Sequence, residues 1–70
     1  MVEEFNVFGH NHNLPEWIGC AATLEDCLRL IRLSCWHRPG LYLVVQNKTG
    51  VKKYYDATQD CQITLLPTTG

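Results

Sequence analysis

Apolar and polar positions change period twice along this chain. Over 2–8 they alternate, with Phe5 and Val7 set against Glu4 and Asn6, which predicts a strand. The stretch 9–15, rich in Gly, Asn and Pro, reads as a loop. Over 16–21 a weaker alternation sets Ile18 and Cys20 against Trp17, Gly19 and Ala21, and a hairpin joins it to the first strand.

The period then becomes helical. Leu24, Cys27, Leu28, Ile31 and Cys35 recur on one side, and Glu25, Arg29 and Arg32 on the other, predicting a helix over 23–36. Thr23 is its N-cap, with Asp26 at the acidic position of a capping box. Glu25 precedes Arg29 in the favourable order for an ion pair. Pro39 disfavours helix at Arg38, and Gly40 lets the chain turn.

The period of two returns over 41–46 and 51–56, and again over 61–66, before a short tail. The intervening Asn47, Lys48, Thr49 and Gly50 fit a type I turn closed by a left-handed glycine. Opposing Asn47 to Val51 places Leu43 across from Tyr55 and Val44 across from Tyr54. The expected fold is one α+β domain over 1–70, ordered β-β-α-β-β-β. It has an antiparallel sheet of four to five strands and a single helix on one face.

Phe5, Val7, Ile18, Cys20, Leu41, Leu43, Val45, Val51, Tyr55, Ile63 and Leu65 are assigned to the covered face. The uncovered face then holds Phe8, Trp17, Tyr42, Val44, Tyr54 and Leu66, with Gln46, Lys52 and Thr64 among them. That is more apolar than a solvated face requires. A large apolar patch with a polar rim marks a macromolecular contact. Trp17, Tyr42, Val44, Lys52 and Tyr54 are therefore the candidate partner-binding residues. The leading expectation is a non-enzymatic protein-binding module, with a homodimer as the simplest way to cover the face. Single-stranded nucleic acid is the alternative, with Tyr42 and Tyr54 as stacking platforms and Lys48, Lys52 and Arg38 as cations.

Composition narrows this further. Seventy residues with a formal charge of −1 exclude a general polyanion binder. A chain of this size buries only about 60% of its unfolded surface, so a staple or partner is welcome. The charge is polarised: every Lys and Arg lies at Arg29 or beyond, and Glu3, Glu4, Glu16, Glu25 and Asp26 lie before it. No apolar run reaches the length of a membrane span, and the Met-Val-Glu-Glu start lacks the basic opening of a signal peptide. A cytoplasmic setting with four reduced cysteines is expected.

The cysteines and histidines are the candidates for chemistry. His10 and His12 could join Cys20, Cys27, Cys35 or Cys61 around zinc, but no C-x-x-C pair is present, and no cofactor or metal is expected. Among disulfides, Cys27 with Cys61 is the one considered to span the core. Cys35 with His37 is the best nucleophile–base pair, and it has no nameable acid partner. The layout resembles many small α+β domains, including phage- and plasmid-encoded inhibitors of host proteins. The likeness is one of size and element order alone.

Overall fold

The computed structural model describes residues 4–11 and 14–67. The elements are β1 (Phe5–Asn11), β2 (Leu14–Ala21), α1 (Leu24–Ser34), β3 (Gly40–Gln46), β4 (Lys52–Ala57) and β5 (Ile63–Leu65). They form one antiparallel five-stranded sheet in the order β2-β1-β3-β4-β5, with α1 packed on one side. The expected fold class is the observed one.

The helix begins where its cap dictates. Thr23 is extended (φ −131°), and its hydroxyl accepts from the Asp26 amide at 3.2 Å. Such a cap contributes about 1 kcal/mol. Cys27, Ile31 and Cys35 are fully buried, and Leu24 and Leu28 pack beside them. Burying a side chain such as Ile31 contributes about 2 kcal/mol. These residues are the helical stripe legible in the sequence.

The first hairpin is longer than expected. β1 runs through Gly9 to Asn11 and β2 resumes at Leu14, so most of the expected 9–15 loop is strand; His12 and Asn13 lie outside the described residues. Gly9 is a strand position because of what covers it. A Cβ there would sit 3.4 Å from Cε2 of Tyr42, so the ring lies directly over the glycine. β2 carries a bulge opposite the step from Val7 to Phe8, which makes Ile18 its extra residue.

The β3–β4 register differs from expectation by one residue. Tyr42 pairs with Tyr55 and Leu43 with Tyr54. The Gln46 amide donates to the Val51 carbonyl (2.9 Å), and the Gly50 amide donates back to the Gln46 carbonyl (2.8 Å). The loop therefore has four residues, 47–50, with Gly50 left-handed at φ +72°. A left-handed glycine closes three- and four-residue loops alike, so composition did not separate them. One residue of slip turns every side chain of β3 over.

The correction falls on two candidate binding residues. Tyr42 and Val44 are each 1% exposed and lie in the core with Val7, Tyr55 and Ala57. Gln46 pairs with Phe5, on the same covered side. Leu41, Leu43 and Val45, assigned to the covered face, point to the open one. Cys20 pairs with Asn6 rather than with a covered-face residue. Val51 is exposed in the turn, and Leu65 is exposed although it pairs with Tyr55. The Tyr42 hydroxyl donates to the Arg38 carbonyl, which satisfies the polar end of a buried ring. Glu16 and Arg38 form an exposed ion pair that ties the α1–β3 connection to β2. Such a pair contributes less than about 1 kcal/mol.

Cys35 at the end of α1 is bonded to Cys61, with a Cα–Cα distance of 5.7 Å. The expectations of reduced thiols at these two positions and of a Cys27–Cys61 pair are both corrected. Cys27 faces the middle of the sheet, whereas Cys35 lies two helical turns further on, where the β4–β5 turn arrives. Cys61 is left-handed (φ +60°), at a turn closed by the Cys61 amide on the Thr58 carbonyl at 2.9 Å. No described helix is long and apolar enough to cross a membrane.

The disulfide closes a separation of 26 residues, worth about 3.5 kcal/mol by loop entropy. Alkylation of the unfolded, unreduced protein is expected to label Cys20 and Cys27 only. A dithiol is expected to lower the melting temperature by well over 10 °C. Four labels without reduction would contradict the bond.

Burial raises the Cys27 thiol above its ordinary value, and the Asp26 carboxylate adds to the shift. Burial also raises Tyr42, against the pull of Arg38, and Tyr55, where Cys27 adds to it. The folded state keeps these protons where the unfolded chain releases them. Their contribution is thus complete below the ordinary thiol value of 9.0 and is lost as pH rises through the raised folded values. Thermal melts above pH 9 should show falling stability, and Cys27→Ala should flatten the earliest part of that fall.

Candidate interaction face

One row of side chains crosses all five strands on the face away from α1. Trp17 pairs with Phe8, Phe8 with Leu43, and Leu43 with Tyr54. Leu66, just beyond β5, completes the row, its amide donating to the Tyr54 carbonyl at 2.9 Å. Cross-strand neighbours stand about 5 Å apart, so the row is a continuous apolar band. Trp17 is 56% exposed at one end, and Phe8, Leu43, Tyr54 and Leu66 are half-buried.

The rows on either side are more polar. One holds Cys20, Asn6, Val45 and Lys52; the other holds His10, Leu41, Asp56 and Thr64. Asn6 organises the first. Its Oδ1 accepts from Trp17 Nε1 at 3.0 Å, and its Nδ2 donates to Asn47 Oδ1 at 2.7 Å. The indole is thereby linked through Asn6 to the β3–β4 turn. In the second row His10 donates from Nδ1 to the Leu41 carbonyl at 3.2 Å.

Of the five candidate residues, the structure brings Trp17, Lys52 and Tyr54 together on this face. It removes Tyr42 and Val44 to the core. Leu41, Leu43 and Val45 take their place, and sequence reasoning had them on the other side. The polarity of β4 was legible, with Lys52, Tyr54 and Asp56 on the open side, but it does not place β3. A turn of three residues sets Tyr42 and Val44 beside them and a turn of four sets Leu41, Leu43 and Val45 there, and Gly50 suits both.

Both sheet edges are blunted against strand addition. β2 carries Pro15 and the Ile18 bulge, and β5 has three residues followed by Pro67. A trough of about 400 Å³ lies between Glu16, Trp17 and Ile18 of β2 and Leu33, His37 and Arg38, and it opens broadly to solvent. Cys35 is committed to its disulfide, so it supplies no thiolate to His37. No group of three His, Cys, Asp or Glu side chains gathers among the described residues; His12 lies outside them.

No family model matches the chain, and no match is found among curated proteins or solved structures.

The Asn6 link predicts a local effect. In a Trp36→Phe background, Asn6→Ala should lower the fluorescence anisotropy of Trp17 and shift its emission, while the melting temperature changes little. Unchanged emission would mean that Asn6 does not hold the ring.

Proposed function

We propose that this domain is a non-enzymatic protein-binding module that works through the open face of its sheet. The observation that carries the reading is the row Trp17–Phe8–Leu43–Tyr54–Leu66. It is an apolar band across every strand, rimmed by polar residues. Trp17, tethered through Asn6, and Tyr54 in the same band are the kind of aromatic groups that anchor interfaces. The chain reserves them outside its core although its core is small.

Single-stranded nucleic acid is the weaker reading. Tyr42 is buried and Arg38 is paired with Glu16, so the platform loses one of its two tyrosines and one of its expected cations. Lys52 is the one cation on the strands of this face among the described residues.

The reading is tested with a photo-crosslinking residue at Thr64, on the open face, and another at Glu25, on the outer side of α1. With the probe-bearing protein added at about 1 mM to extracts of the cells that make it, Thr64 should give a discrete protein adduct, with itself or with another protein, and Glu25 should not. Leu43→Asp should abolish that adduct without unfolding the domain. Equal labelling from both positions, or none from Thr64, would overturn the reading.

A further inference from the structure

We propose that the partner of the open face is a second copy of this chain, packed sheet against sheet about a two-fold axis along the row Trp17–Phe8–Leu43–Tyr54–Leu66. The inference rests on the reading of that face as a protein-binding surface and names its occupant. The argument is the placement of charge about the row. On β4, Lys52 precedes Tyr54 and Asp56 follows it at equal spacing, all on one face. Rotation about the row exchanges its two sides. Each Lys52 then lies over the Asp56 of the other copy, and the pair forms twice.

The other strands obey the same exchange. Val45 and Leu41 of β3 come to face each other, apolar on apolar. Asn6 and His10 of β1 do likewise, and both carry hydrogen-bonding groups. Residues on the row meet their own counterparts, as an isologous interface requires. Rotation about an axis parallel to the strands would instead set β4 over β1, with Lys52 over Asn6 and Asp56 over His10, and would form no Lys52–Asp56 pair. The charge pattern therefore selects one of the two face-to-face arrangements.

Size sets the strength. Five strands about 4.8 Å apart, with about 14 Å of strand from Lys52 to Asp56 plus side-chain margins, offer roughly 500 Å² per chain. A stable interface uses about 800 Å² per partner. The dimer is weak and salt-sensitive, forming in the high-micromolar range.

Sedimentation velocity from about 20 µM to 1 mM at low salt reads it directly. The unaltered protein should shift toward twice its mass across that range. Lys52→Asp alone, or Asp56→Lys alone, sets like charges opposite each other twice and should weaken association about tenfold. Lys52→Asp with Asp56→Lys restores opposite charges and should recover the original constant within about threefold. Both positions are exposed, so the variants should melt like the parent. A single chain at 1 mM, or a double variant no better than the singles, overturns the second copy as occupant. If the Thr64 probe then still gives an adduct with a different protein, the face stands as a binding surface and only its partner changes. If it gives none, both fall.

Discussion

The closure of the β3–β4 turn on Gln46 and Val51 is the constraint on which the rest of the structure depends. It fixes the phase of β3, and β3 is the central strand. With this phase Tyr42 covers Gly9, its hydroxyl reaches the Arg38 carbonyl, and Val44 pairs with Val7 beneath the helix. A slip of one residue would carry Tyr42 and Val44 to solvent and drive Leu41, Leu43 and Val45 under α1. The buried glycine would lose its ring, and a polar hydroxyl would lose its partner. These losses act together, so the register is specified strongly although both faces of β3 are apolar.

The same phase divides the apolar residues between two tasks. The core is made by the α1 stripe, Val7, Tyr42, Val44, Tyr55 and Ala57. It is small, and the Cys35–Cys61 bond holds the far end of the sheet to the helix where packing is thinnest. A covalent tie there offsets part of the backbone entropy that so short a chain has difficulty recovering by burial. Trp17, Phe8, Leu43, Tyr54 and Leu66 stand in one band on the other face. They cannot join the core, because a single helix reaches one side of a sheet only.

That division gives the proposed function its physical basis. A sheet can recruit another macromolecule by its edge or by its face. Here proline, a bulge and a three-residue strand discourage the edges, and Asn6 and the β-ladder hold Trp17 and Tyr54 in place on the face. Such preorganisation lowers the ordering cost of binding.

The sequence by itself determined the elements. The 3.6-residue period, the Thr23 cap and the Pro39–Gly40 stop were sufficient for α1, and the alternations located the strands, because these signals are local. It also determined the orientation of β1 and β4, where one face is plainly more polar than the other. It did not determine β3. Its residues 41, 43 and 45 are as apolar as 42 and 44, and Gly50 is compatible with either loop length. Nor did it pair Cys35 with Cys61, since three connectivities fit four cysteines and spacing does not choose among them. Tertiary structure decided both, because a strand with two apolar faces takes its phase from its neighbours, and a disulfide forms only where the packed chain brings two sulfurs together.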